Sequence, residues 1–203
     1  MANISQRPYR KRKRARAEEE TRRRITEAAV ELHGTVGPAR TTMTEVAELA
    51  GVSRMTVYNH FPTEADLFVA CSTHWATENP FPDPSGWVEA DVSVRLQVSL
   101  EELYGWYRQK EGMLGKVLRD TPAVPALGPL MDELWEGYME SVVGALAEGW
   151  PLEADGPDTL HVLLRVAADF GTWQLLTKPG TDDTRAAALA ARMVTGALDG
   201  GGR

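Results

Sequence analysis

Six side chains in one short segment, five of them able to hydrogen-bond, match the chemistry of DNA recognition. Their donors and acceptors suit base edges and phosphates in a major groove. They are Arg54, Met55, Thr56, Tyr58, Asn59 and His60. Apolar Val57 and Phe61 stand four positions apart in the same segment, so a helix here has one buried face. The segment therefore predicts a helix that binds DNA through its polar face.

The residues before this segment predict the element that holds it. Thr42 and Glu45 have the spacing of a capping box, which begins a short helix, and Gly51 ends that helix. Ser53 caps the next helix, and Pro62 ends it. Two short helices joined by a tight turn form a helix-turn-helix. The apolar residues expected to lock the pair together are Val46, Ala47, Leu49, Val52, Val57 and Phe61.

Charge is distributed unevenly along the chain. The formal net charge is −7, yet residues 1–75 carry +3 and residues 76–203 carry −10. Residues 1–16 hold seven basic side chains and no acidic one. A basic head on an acidic body indicates a polyanionic partner for the head alone. We expect residues 1–20 to be a flexible basic arm, lying along phosphates or entering a minor groove, and the alternative is a solvated tail or cloning remnant.

The rest of the chain shows apolar residues at helical spacing and almost no alternation typical of strands. The fold class predicted is all-α, with a helix-turn-helix domain at 21–78 and a helical ligand-binding and dimerisation domain at 79–203. A loop with three prolines and a glycine, at 79–91, separates the two domains. The helices predicted for the second domain are 92–110, 112–119, 128–148, 157–177 and 181–198.

Two runs in the N-terminal part resemble the DNA-binding domain of TetR/AcrR repressors. They are TRRRITEAAVEL at 21–32 and TTMTEVAELAGVSRMTVYNHF at 41–61. The resemblance covers about residues 21–75, and beyond it rests on helix layout alone. It implies an obligate dimer on a palindromic double-stranded operator. It also implies a divergent C-terminal domain whose small-molecule ligand releases the DNA.

The resemblance also implies roles for individual residues. Phosphate contacts match Thr42, Ser53, Tyr58 and His60, and base-reading positions match Arg54, Thr56 and Asn59. Two positions depart from the family pattern. Glu64 stands where a lysine commonly meets the DNA backbone, and His33 stands where an aromatic core residue is usual. We interpret His33 as a hydrogen-bonded core histidine, with looser packing of the first helix as the alternative.

All six tryptophans lie outside the helix-turn-helix. Together with nearby tyrosines and methionines they predict an apolar pocket for a small apolar or aromatic ligand, and ordinary core packing is the alternative. His161, Arg165 and Asp169 recur every fourth residue and are either polar anchors for that ligand or a surface ladder. The residues predicted to contact the ligand are Trp75, Trp106, Met113, Trp135, Tyr138, Met139, His161, Arg165, Asp169 and Trp173.

The last two predicted helices favour a homodimer. The helix at 157–177 is apolar on nearly all sides, and the alanines at 186–191 allow another helix to approach closely. Helix pairs from two subunits would form a four-helix bundle.

No enzyme signature is present, so we expect no catalytic residues and no cofactor. His74 and Glu78 have metal-ligand spacing but no third ligand, so no metal is expected. The lone Cys71 is interpreted as a small buried hydrophobe, and the absence of a long apolar run favours a cytoplasmic protein without membrane contact. Two alternatives remain: a small-molecule-binding or catalytic helical protein with a vestigial DNA-binding head, and an architectural DNA binder without a ligand.

Overall fold

The computed structural model describes residues 6–88, 91–150, 156–178 and 180–200, and the all-α prediction is confirmed throughout that part of the chain. The α-helices are α1 Gln6–Thr35, α2 Met43–Leu49, α3 Arg54–His60, α4 Glu64–Glu78, α5 Val92–Asp120, α6 Gly128–Met131, α7 Gly137–Ala147, α8 Gly156–Ala168, α9 Phe170–Thr177 and α10 Asp183–Gly200. Short 3-10 turns occupy Pro38–Arg40, Pro84–Trp87 and Thr121–Ala123, and a π-helical turn at Asp132–Glu136 joins α6 to α7.

The chain divides into two compact units. The first contains Met1–Pro80 together with Gly112–Leu130, and the second contains Phe81–Glu111 together with Met131–Arg203. The break near Pro80 is close to the boundary expected from the proline-rich loop. The return of Gly112–Leu130 to the first unit differs from the expected domain at 79–203, because the end of α5 makes contacts there that local sequence does not reveal.

In the first unit, α1 packs on α2 and α4, and α2 packs on α3. Leu49 was predicted to be buried in this core, and that prediction is wrong, since 47% of Leu49 is exposed. The buried side of α2 is formed by Met43, Val46, Ala47 and Ala50. At about 100° per residue, Leu49 lies roughly a third of a turn away from the centre of that face.

The basic arm is helical from Gln6 onward, whereas a flexible segment was expected, and residues 1–5 lie outside the described part of the chain. Helix α1 begins at Gln6 and runs through the arm without interruption to Thr35. Arginine, lysine, alanine and glutamate are strong helix formers, and extending an existing helix requires no new nucleation. The side chains of residues 9–20 are exposed, with an ion pair of 2.9 Å between Arg14 and Glu18.

A buried carboxylate holds the turn that precedes α2. Asp120, at the end of α5, is 5% exposed, and its Oδ2 accepts a hydrogen bond of 3.1 Å from the backbone N–H of Ala39. Arg119 donates to Oδ1 of the same group over 2.7 Å. Gly37 adopts φ +95°, and a Cβ there would collide with the Asp120 carboxylate. Only glycine fits this turn without strain.

The end of α8 is held by two buried tyrosines of α5. The hydroxyl of Tyr104 donates to the carbonyl of Ala167 over 2.6 Å, and that of Tyr107 donates to Ala168 over 2.7 Å. Asp169 then caps α9 by accepting from the N–H of Thr172 over 3.1 Å. The single helix predicted at 157–177 is therefore two helices, since side chains satisfy the backbone groups at the break.

Helix α5 differs from prediction in the opposite sense, because the expected helices 92–110 and 112–119 form one continuous helix. Near its beginning, the 5% exposed Arg95 donates to the carbonyls of Ala145 and Glu148 at the end of α7, and to Val88 over 2.8 Å. Arg95 thus completes the C-terminal end of α7, where free carbonyls are otherwise left without partners.

We predict that Asp120→Ala lowers the free energy of unfolding of the first unit by about 1.5–3 kcal/mol, as expected for a hydrogen bond to a charged group. The hydrogen bond from Arg119 holds the pKa of Asp120 below its ordinary value of 3.8. The stabilisation is therefore complete above pH 3.8 and is lost as the pH falls through the pKa of the folded protein.

Urea denaturation of the parent, of Asp120→Ala and of the non-titrating Asp120→Asn across the acidic range measures this effect. The exposed Glu111→Ala on the same helix is the matched control. An Asp120→Ala protein as stable as the parent would contradict the prediction.

Candidate functional site

The helix-turn-helix is built by caps at both of its helices. The hydroxyl of Thr42 accepts from the N–H of Glu45 over 3.2 Å, while the Glu45 carboxylate accepts from the N–H of Thr42 over 2.8 Å. The hydroxyl of Ser53 accepts from the N–H of Thr56 over 3.1 Å and begins α3. Between the helices Gly51 has φ +64°, the left-handed conformation that favours glycine. The capping box and the turn predicted from the sequence are both present.

Helix α3 has one buried face and one free face. Val57 and Phe61 are fully buried, and Arg22 of α1 supports the same end of the helix. The free face carries Arg54, Met55, Tyr58 and Asn59, all exposed, with Thr56 and His60 half-buried beside them. The predicted DNA-reading residues therefore lie together on one helix, and Thr42 and Ser53 stand at the starts of α2 and α3.

Arg54 and Tyr58 form a pair on the free face. An Nη of Arg54 donates to the hydroxyl of Tyr58 over 3.2 Å, and the guanidinium carbon lies 5.4 Å from the centroid of the tyrosine ring. Guanidinium and ring therefore restrict each other's motion. The hydrogen bond to Tyr58 uses one Nη of Arg54 and leaves the other N–H groups of the guanidinium available. Because the side chain is already restricted, it would lose less conformational entropy on contact with a base or a phosphate.

Sequence inspection missed the role of Arg22. Its guanidinium donates to the carbonyl of His60 over 2.8 Å and lies 4.1 Å from the centroid of the Phe61 ring. Arg22 thus satisfies a free carbonyl at the end of α3 and ties that end to α1. The only available signal was its place among three consecutive arginines at 22–24, which does not tell a structural arginine from a DNA contact.

His33 and Cys71 are core residues, as the sequence suggested. The imidazole is 5% exposed, stacks on Phe68 at 5.2 Å between ring centroids, and has Nδ1 3.5 Å from the sulfur of Cys71. Burial lowers the pKa of His33 to about 4 and raises the pKa of the Cys71 thiol to about 12. Both groups are therefore neutral near pH 7. Glu64, the other departure from the family pattern, is exposed on the first turn of α4.

In the second unit, aromatic side chains form one connected cluster. Tyr107 lies at the centre, with ring centroids 5.3 to 6.2 Å from those of its aromatic neighbours. Five residues predicted to bind a ligand belong to it or touch it: Trp106, Trp135, Tyr138, Met139 and Trp173. Trp75 and Met113 belong to the first unit.

The polar residues predicted as ligand anchors have structural partners or face solvent. Arg165 pairs with Glu136 over 2.7 Å and lies 3.9 Å from Asp169, which caps α9. His161 is exposed. Trp173 is fully buried, and its ring N–H donates to Asp183 over 2.9 Å. These contacts match the packing alternatives stated above, and the role of each residue towards a ligand stays a prediction.

A separate groove of about 570 Å³ lies elsewhere in the second unit. Its lining includes Leu96 and Gln97 of α5, Trp150, and Ala188 and Ala191 of α10. Its lining contains none of the residues predicted to bind a ligand.

The remaining sequence candidates carry little chemistry. His74 Nε2 lies 3.8 Å from Glu78, a weak pair at the end of α4. Among the residues that the structure describes, no group of three or more His, Cys, Asp or Glu side chains is placed to hold a metal ion. In the same part of the chain, no helix combines the length and the apolar character needed to cross a membrane.

Comparison with known proteins agrees with this architecture. Residues 25–71 match the family model of bacterial regulatory proteins, tetR family. Over 52 residues the chain is 48% identical to the HTH-type transcriptional regulator TtgR of Pseudomonas putida, covering 26% of this chain and 25% of that protein. The chain thus spans about a quarter of the length of the curated relatives it matches.

Solved structures extend the similarity to both units. A TetR transcription regulator from Haloarcula marismortui ATCC 43049 matches with a TM-score of 0.58 at 20% identity, covering 90% of this chain and 98% of that one. The multidrug binding protein EbrR, complexed with imidazole, matches with a TM-score of 0.53 at 25% identity, covering 84% and 93%. Residues 25–71 therefore match the tetR family model, and the resemblance seen in the sequence is confirmed over that segment.

We predict that Arg22→Met lowers the free energy of unfolding of the first unit by about 2 kcal/mol, since it removes a charged hydrogen bond and a cation–π contact. Amide hydrogen exchange should accelerate at the end of α3. Arg23→Met, whose side chain pairs only with the exposed Glu20 and Glu27 in the residues described, should have a smaller effect. Equal exchange rates in the two variants would contradict the positioning role of Arg22.

Proposed function

We propose that this chain is a DNA-binding transcriptional regulator of the TetR type. It acts as a homodimeric repressor on a palindromic operator and is released by a small apolar or aromatic ligand. The observation that carries the proposal is α3, whose exposed Arg54, Tyr58 and Asn59 are backed by the fully buried Val57 and Phe61. This segment falls within the residues that match the tetR family model. Since its partner is chromosomal DNA, we place the regulator in the cytoplasm.

Two observations favour this proposal over its alternatives. A vestigial head would have no reason to keep α3 polar outside and apolar inside, with Arg54 held by Tyr58. An architectural DNA binder would have no need for the large aromatic cluster of the second unit. The complex of EbrR with imidazole supports small-molecule binding by a chain of this fold.

Selection of genomic DNA fragments by the purified chain tests the proposal. We predict that the parent enriches a palindromic sequence, because two copies of α3 related by a two-fold axis read inverted half-sites.

Arg54→Ala should relax the preference at particular base pairs, costing about 1–3 kcal/mol for a bidentate contact. Tyr58→Ala should weaken binding while circular dichroism stays unchanged. Undiminished operator affinity in a folded Tyr58→Ala protein would contradict this assignment.

The dimer surface we propose lies on α8 and α10. Val162 and Val166 of α8 are 62% and 48% exposed, and Met193 of α10 is 52% exposed. Helices α8 and α10 also pack on each other within the chain. Large apolar side chains exposed along neighbouring helices suit pairing with a second copy, which would bury them in a four-helix bundle.

We predict that sedimentation at micromolar concentration shows a dimer, and that Val162→Glu combined with Met193→Glu shifts it to a monomer of 22.3 kDa. Burying unpaired carboxylates in an apolar interface is strongly unfavourable. Val98→Glu, which alters a 54% exposed valine of α5, should leave the dimer intact. A parent protein that sediments as a monomer would exclude this assembly.

The basic extension of α1 supports binding along the DNA backbone. A helix is about 10–12 Å wide with its side chains, whereas the minor groove is about 6 Å wide. As long as it stays helical, the extension lies against phosphates and does not enter the minor groove. Its exposed cations also offer the backbone contacts that the acidic Glu64 does not provide.

We predict that deleting residues 1–16 weakens operator binding and flattens its salt dependence while the sequence preference is retained. Each phosphate contact contributes about 0.9 to the slope of log affinity against log salt. Fluorescence anisotropy at several salt concentrations measures this slope. An unchanged slope would show that the extension makes no phosphate contacts.

A further inference from the structure

One ring of the aromatic cluster is carried by a loop, unlike the three rings around it. Phe81 lies in an irregular segment between Pro80 and Pro82, whereas Trp106, Trp135 and Tyr138 lie on helical turns. Its ring stacks on Tyr138 with centroids 4.4 Å apart and planes at 21°. The centroid of Trp106 is 5.0 Å away and that of Trp135 is 6.2 Å away. Phe81 therefore fills a space walled by three rings, and a loop side chain leaves such a space without unwinding a helix.

The wall of that space contains an unused hydrogen-bonding group. The hydroxyl oxygen of Tyr138 is buried and has no hydrogen-bond partner among the residues that the structure describes. Tyr104 and Tyr107, by contrast, both donate to backbone carbonyls. Buried polar groups almost always have partners, so an unpaired hydroxyl beside a removable ring indicates a place where another molecule supplies the partner.

Two carboxylates add negative charge beside this space. Glu102 lies one helical turn before Trp106 and accepts a hydrogen bond of 2.7 Å from the ring N–H of Trp87. Asp83 follows Phe81 by two residues and accepts from the N–H of Ser85 over 3.0 Å. Burial first, and then the charges of Glu102 and Asp83, raise the pKa of Tyr138. Both residues are exposed, so solvent partly screens the negative charge that they place near the Tyr138 hydroxyl.

We propose that Phe81 occupies a binding site formed by Trp106, Trp135 and Tyr138, and that a flat aromatic cation displaces it. The faces of tryptophan and tyrosine rings attract cations, and Glu102 and Asp83 complete the charge complementarity. The ligand ring takes the place of the Phe81 ring, and the Tyr138 hydroxyl gains a partner. This inference rests on the ligand-responsive function proposed above and narrows its ligand class from apolar or aromatic molecules to aromatic cations.

Isothermal titration calorimetry of the full chain without DNA tests the site with two molecules of nearly equal shape. The probes are 9-aminoacridine, a cation at pH 8, and 9-aminoanthracene, which is neutral at that pH. The amino N–H of either probe can donate to the Tyr138 hydroxyl oxygen, so they differ in charge and not in this hydrogen bond. The cation is expected to bind about tenfold more tightly. Glu102→Gln should remove most of this difference by weakening only the cation. Glu140→Gln, on the exposed side of α7, is the matched control and should change neither affinity.

Displacement is tested separately with Phe81→Ala, which should bind both probes more tightly because no ring has to leave. Unchanged or weaker binding in a Phe81→Ala protein of normal circular dichroism would overturn the displacement step. Should that variant fail to fold, Glu102→Gln still decides the ligand class. Equal affinity of the parent for both probes would overturn the proposed binding site. Loss of probe binding in Trp150→Ala, which alters the separate groove, would overturn it as well.

Operator binding measured alongside separates this inference from the proposed function. Intact operator binding with no affinity for either probe overturns the inference, whereas the proposed function as a DNA-binding regulator still stands. Tight binding of 9-aminoacridine without release of DNA supports the site, and it contradicts release by this ligand.

Discussion

Burial of Val57 and Phe61 is the constraint on which the proposed DNA-recognition surface depends. The two side chains stand four residues apart, so placing both in the core fixes the rotation of α3 about its axis. Arg54, Met55, Tyr58 and Asn59 are then directed to solvent without any further specification. Arg22 adds the translational restraint by binding the end of the helix to α1. A recognition surface thus results from packing on its opposite side.

Elsewhere the fold is completed by side chains that satisfy backbone groups far away in the sequence. Asp120 accepts from Ala39, Arg95 donates to carbonyls at the end of α7, and Tyr104 and Tyr107 donate to those at the end of α8. Each contact decides where an element ends or how a turn is held. The Asp120 contact is of special interest, because it joins the end of α5 to the turn that leads directly into the helix-turn-helix.

In the second unit, one aromatic cluster contains both structural core residues and the proposed binding site. Trp173, Tyr104 and Tyr107 have both apolar burial and satisfied polar atoms, which is typical of a structural core. The Tyr138 hydroxyl is buried and has no hydrogen-bond partner within the described ranges of the chain, and Phe81 reaches the Tyr138 ring from a loop. Hydrogen bonds therefore hold one side of the cluster in place, while on the other side our proposal lets a ligand replace a loop ring.

The sequence by itself determined the all-α fold, the helix-turn-helix with its caps, and the side chains that α3 exposes. These features depend on local interactions, namely helical periodicity, capping residues and glycine at a turn. Only the tertiary structure decided that the helix predicted at 157–177 is broken at Asp169 and that α5 is continuous. It also decided that the side chains of Arg22 and Asp120 form hydrogen bonds with backbone groups instead of with water. It also decided that Leu49 is exposed and that Trp75 and Met113 belong to the first unit. Such outcomes depend on partners tens of residues away, and neither periodicity nor residue type identifies those partners.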